Sequence, residues 1–160
     1  MGDHTETIQI DYDPSQISYK DLLQLFWRSH RPTRPAWSRQ YMSAVFVHDE
    51  TQRQAAEEIK ASLEAKSGQQ LHTEILPAGP FYLAEDYHQK YALRAQRKLA
   101  KEFEAIYPVL EDFVNSTAVS RANGFASGYG SMNLLTDELE SYGLSPEGQQ
   151  TLVNLAKRYY

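Results

Sequence analysis

The 160-residue chain contains no cysteine. That absence removes disulfides, thiolate–metal sites and every thiol nucleophile at once. It suits a reducing compartment, so a cytoplasmic location is the expectation. No run of about 18 apolar residues is present, so neither a membrane span nor a membrane partner is expected. Met1-Gly2-Asp3-His4-Thr5-Glu6 has neither a basic nor an apolar stretch, and no secretory signal is expected there. Basic charge is also short: 16 Lys and Arg stand against 21 Asp and Glu, a net charge of −5. That balance excludes a broad basic footprint, and no nucleic-acid partner is expected. Walker lysines, nucleophile elbows and internal repeats are missing as well.

What remains is ordinary globular material, 41% hydrophobic and 23% charged. A chain of this size can bury roughly 69% of its surface on folding, so it needs no covalent staples. Thr7-Ile8-Gln9-Ile10-Asp11-Tyr12 alternates at period two and predicts a half-buried first strand. Ser18-Tyr19-Lys20-Asp21 reads as a capping box opening a helix that ends near His30, ahead of Pro32 and Pro35. Residues 31–38 read as a loop. Gln40 to Val47 is almost continuously apolar and predicts a strand covered on both faces. Asp49-Glu50-Thr51-Gln52 caps a second helix, which Ser67-Gly68 stops. Leu71 to Leu76 reads as a third strand.

From Phe81 onward the pattern is helical: Ala84 to Ile106, Ser116 to Ala126, Met132 to Tyr142, and Ser145 to Arg158 with Pro146 at its first position. The order predicts an α+β fold, an α/β two-layer sandwich on a mixed sheet with a helical C-terminal extension.

Five histidines invite a metal. His4, His30, His48, His72 and His88 fall in five different elements, and no pair has the i,i+4 spacing of a helical site. We therefore expect none. Two places carry more chemistry. Glu6, beside His4 at a strand start, is a carboxyl half-shielded enough to donate a proton. Pro77 to Tyr91 crowds Tyr82, Tyr87, Tyr91, His88 and two acids into a loop and helix start, which suits either a polar cleft or core tyrosines with satisfied hydroxyls.

At these residues the sequence resembles the A-type peptide methionine sulfoxide reductases. Gly2-Asp3-His4-Thr5-Glu6 and the alternating segment ending Tyr12-Asp13-Pro14 resemble that family's T-G-H-x-E strand. The likeness runs on through Ile17-Ser18-Tyr19, Phe26-Trp27, His30 and Arg39-Gln40-Tyr41-Met42-Ser43-Ala44. It closes on Pro77 to Tyr91, which is similar to the signature P-A-x-x-F-Y-x-A-E-D-Y-H-Q-x-Y.

The resemblance implies a ferredoxin-like reductase core over residues 1–93 and a helical extension over 94–160 packed on it. It also implies repair of oxidised proteins by reduction of methionine S-sulfoxide, in proteins or free, without a bound cofactor. In the family a cysteine or selenocysteine of a G-C-F-W-G motif attacks the sulfoxide sulfur, and thioredoxin or another thiol regenerates the enzyme. Glu6 matches the glutamate that shares a proton with the sulfoxide oxygen, and Tyr41 matches a tyrosine that hydrogen-bonds it. His4, Trp37, Tyr82, His88 and Tyr91 would line the substrate pocket or stand behind it. The family's aspartate just before Tyr41 is replaced by Pro35-Ala36-Trp37-Ser38, as in a variant subgroup. The G-C-F-W-G segment precedes the Glu6 strand in the family. The expectation is therefore a chain shortened at its N-terminus, through a truncated or selenocysteine-type gene, and inactive as it stands. The rival expectation is a pseudoenzyme or binding module that keeps a degenerate oxidised-methionine pocket.

Overall fold

The structure, a computed structural model, describes residues 4–159. Gly2 and Asp3 of the first motif lie outside the described residues. The chain forms two compact units, Met1–Phe81 and Tyr82–Tyr160.

The first unit is a βαβ arrangement preceded by a helix: α1 (Tyr19–Ser29), β1 (Ala44–Val47), α2 (Glu50–Ser67) and β2 (Glu74–Pro77). The capping box of α1 forms as its sequence predicts: Ser18 Oγ accepts from the Asp21 N–H while the Asp21 carboxylate accepts from the Ser18 N–H. Helix α2 is capped by Asp49, which accepts from Gln52 N–H, and ends on Gly68 in the left-handed conformation (φ 66°) that glycine adopts without a Cβ clash. An 18-residue helix is long enough to return the chain, so β1 and β2 pair in parallel, Val45 opposite Ile75 and Phe46 opposite Leu76. Leu23 and Trp27 of α1, Val45 and Val47 of β1, Ala55 and Ala56 of α2 and Leu71 share one core.

Two expectations are corrected here. The segment 7–12 has no regular secondary structure and joins no sheet: among the described residues the only sheet is the parallel pair β1–β2, not a mixed one. Ile8 is 81% exposed and Ile10 54%. Period-two patterning makes a strand only where a neighbour takes up its backbone groups, and no described strand does so here. The strand placed at 40–47 begins only at Ala44, because Met42 N–H donates to Arg39 O and turns the chain.

The second unit is helical: a 3₁₀ turn at Asp86–His88, α3 (Tyr91–Arg94), α4 (Arg97–Ile106), α5 (Leu110–Asn115), α6 (Thr117–Ala126), α7 (Met132–Glu138) continued by a 3₁₀ turn to Tyr142, and α8 (Pro146–Ala156). Ser116, Ser131 and Ser145 each cap the helix that follows, and Pro146 stands at the first position of α8. Leu99, Phe103, Phe113, Val119, Phe125, Leu135, Leu152 and Leu155 close its core. Helix α5 has no counterpart in the sequence pattern. It is six residues long with no side-chain cap, and Phe113 anchors it by burial. Arg94 ties the unit together, donating to Gln89 O (3.0 Å), pairing with Glu104 (2.9 Å) and lying over the Phe113 ring.

Candidate functional site

The turn at 36–42 is held by residues 5 and 6. Thr5 Oγ1 donates to Arg39 O (3.2 Å), and Glu6 N–H donates to Gln40 O (2.9 Å). Gln40 Nε2 then donates to Glu6 Oε1 at 2.8 Å. The carboxylate is thus fixed beside the residue that precedes Tyr41. Glu6 itself is exposed. The half-shielded carboxyl expected at a strand start is a surface carboxylate clamped to a turn, since no strand forms around it.

Tyr41 is 48% exposed, and its ring stacks on Trp37 at 4.9 Å and 28°. A tryptophan left 76% exposed keeps one face dry only through that stack. Beyond it, Ala36, Trp37, Ser38, Arg39, Met42, Glu74 and Leu76 line an open groove of about 550 Å³. Ser38 Oγ is buried with no hydrogen-bond partner among the described residues. Beneath this surface, His30 Nδ1 lies 2.8 Å from Phe26 O and its Nε2 lies 2.9 Å from Thr73 Oγ1. A carbonyl can only accept, which makes Nδ1 a donor, and in the neutral ring Nε2 then accepts from the Thr73 hydroxyl.

His4, two residues before Glu6, is exposed in the first unit, and the other sequence-marked residues belong to the second. Tyr82 and Tyr91 are exposed, and the His88 ring lies tilted against Tyr87 (centroids 4.2 Å, 43°) with Glu85 at 3.9 Å. Lys90, in the same signature, takes a positive φ of 51° and donates to Ser120 Oγ at 2.7 Å. Burial pulls its ammonium below the ordinary lysine value. Among the described residues no three His, Asp or Glu side chains converge on a point where a metal could sit. Gln40 carries no mark of its own in the sequence. Its one signal is its place beside Tyr41 in the Arg39-Gln40-Tyr41 run.

Residues 1–121 match the sequence profile of the family described as peptide methionine sulfoxide reductase. The chain belongs to the peptide methionine sulfoxide reductase family. It is 40% identical over 153 residues to a peptide methionine sulfoxide reductase of Drosophila melanogaster, covering 94% of this chain and 61% of the relative. To the Streptococcus pyogenes serotype M2 protein named peptide methionine sulfoxide reductase MsrA it is 38% identical over 116 residues, 68% of this chain and 69% of that one. The corresponding protein of Methanosarcina acetivorans is 44% identical over 96 residues, 55% of this chain and 50% of the relative. The chain thus spans between half and about two thirds of the length of these relatives. At 94% coverage, the fly likeness extends well into the helical unit. No helix among the described residues is long and apolar enough to cross a membrane.

Proposed function

We propose that Glu6 and Tyr41 form the sulfoxide-oxygen half of a peptide-methionine (S)-S-oxide reductase site. Glu6 donates a proton to the oxygen of methionine S-sulfoxide, in proteins or free, and the Tyr41 hydroxyl hydrogen-bonds the same oxygen. The observation that carries the reading is the Gln40–Glu6 bond, which fixes a carboxylate one residue from the Tyr41–Trp37 stack. Sulfoxide oxygen leaves poorly until protonated, so an acid and a phenol aimed at one atom are the groups the step needs. The sulfur nucleophile has to come from outside these 160 residues, which contain no thiol or selenol. A thiol such as thioredoxin restores it, no cofactor is bound, and the setting is cytoplasmic repair. Trp37 flanks the pocket through its stack on Tyr41, and His4 stands two residues before Glu6.

The lack of cysteine also favours a second reading, a binding module that holds oxidised methionine without turnover. One assay separates them. The 160-residue chain is incubated with dithiothreitol and a methionine S-sulfoxide peptide, beside a form extended upstream through a G-C-F-W-G segment. Turnover by the extended form alone, reduced about 10²- to 10⁴-fold by Glu6→Ala, is the expected result. Turnover by the short chain would overturn the split-site reading.

A further inference from the structure

Glu6 makes one side-chain hydrogen bond among the described residues, and it engages only Oε1. Gln40 is half-buried, and its backbone is bound to Glu6 by a second, independent hydrogen bond, Glu6 N–H to Gln40 O at 2.9 Å. Thr5 and Arg39 add a third link one residue back. The amide and the carboxylate therefore meet across a brace of backbone contacts that does not depend on either side chain.

We propose that Gln40 is a positioning residue that decides which oxygen of Glu6 carries the transferable proton, a role that rests on the function proposed above. An amide N–H can donate but cannot accept, so the oxygen it engages is held as the acceptor. When Glu6 is protonated, Oε1 remains the carbonyl oxygen facing Nε2, and the hydroxyl hydrogen resides on Oε2. Oε2 has no protein partner among the described residues. The carboxyl thus delivers its proton in one direction, and after transfer the same N–H steadies the carboxylate left behind. Without Gln40 the exposed carboxyl rotates freely, and both its direction and the moment of transfer are lost to rotamer averaging.

The test is a double-mutant cycle on the 160-residue chain. The probe is a short peptide containing methionine S-sulfoxide, and its binding is followed by the indole N–H resonance of Trp37. That signal is assigned by its loss in Trp37→Phe, since Trp27, the other tryptophan, is buried. Glu6→Ala should weaken binding, and Gln40→Ala should weaken it about threefold to tenfold, the scale of one hydrogen bond to a charged group. Gln40→Ala placed on Glu6→Ala should cost nothing further, because a residue that acts only through Glu6 has nothing left to position. Gln40→Met, which has similar length but cannot donate, should match Gln40→Ala, and Gln40→His, which can, should recover part of the affinity. Thermal melts run alongside detect any loss of folding. Equal losses from Gln40→Ala with and without Glu6, or full affinity in Gln40→Met, would overturn the proposal and leave the Glu6 reading intact. If Glu6→Ala itself leaves binding unchanged, the function proposed for Glu6 fails first and takes this inference with it.

Discussion

The two units of this chain spend their hydrophobic residues differently. The helical unit inserts Phe103, Phe113 and Phe125 with leucines from α3, α4, α7 and α8 into one core, and most of those side chains are wholly out of water. The sheet unit has only two four-residue strands, and its core is made chiefly by α1 and α2 pressing Leu23, Trp27, Ala55 and Ala56 onto Val45 and Val47. Ahead of it runs an irregular segment whose isoleucines, Ile8 and Ile10, face water. A helix satisfies its own backbone and needs a neighbour only for its apolar face. A strand needs neighbours for both. The candidate site sits where that need is unmet, on residues 5–6 and 36–42.

The contrast is broken or sharpened most strongly by core truncation. Phe103→Ala should cost the helical unit about 3–5 kcal/mol, while Leu23→Ala in the sheet unit should fall near the low end of about 2–5 kcal/mol, where collapse around the smaller core limits the cavity. Urea unfolding with amide hydrogen exchange reads both, and equal losses would erase the difference. Next is the polar joint of the sheet unit. Thr73→Val strips the His30 Nε2 of its partner at a position wholly out of water, and about 1–3 kcal/mol should be lost. A cost near zero would mean His30 finds another donor.

Alkaline pH sets one tyrosine of each unit against the other. Burial, with help from Glu138, pushes the Tyr142 phenol above its ordinary value of 10.0, and burial also raises Tyr19, which has Tyr12 and Asp49 nearby. A phenol whose ionisation is suppressed only in the folded state stabilises fully below pH 10 and loses that contribution as pH rises toward the folded value. Stability should therefore decline above about pH 10, by at most about 1.4 kcal/mol per pH unit for each group. Tyr142→Phe should flatten the decline of the helical unit, and Tyr19→Phe that of the sheet unit by less. A decline unchanged in both variants would move the cause elsewhere. Smallest is the cap of α1: Ser18→Ala should cost about 1 kcal/mol, read as a lower melting temperature and faster exchange in the first turn.

Much of the architecture is legible in the chain itself. The Ser18–Asp21 box, the Asp49 cap, the Gly68 stop and the Ser145-Pro146 start are local chemistry, complete within four residues, and each forms as its residues predict. Family membership is legible for the same reason, since its motifs are long and ordered in sequence. The candidate site is legible only in part. Glu6 and Tyr41 are marked by their motifs, whereas Gln40 stands in the same run as Tyr41 but draws no role from it, because its role lies in a hydrogen bond to a residue 34 positions away. Helix α5 is too short to show a period, and only the burial of Phe113 explains it.

Sequence alone thus determined where the side-chain-capped helices α1, α2 and α8 begin, the absence of a thiol, and the residue types available to a sulfoxide. Those properties depend on near neighbours or on composition, and no folding is needed to read them. Tertiary structure decided that 7–12 forms no strand, that β1 and β2 pair in parallel, and that the Glu6 carboxyl is clamped rather than shielded. Each of these depends on what lies across a gap in the chain. An alternating pattern states which residues would face a core, but only a neighbouring backbone, present or absent, turns that preference into a sheet.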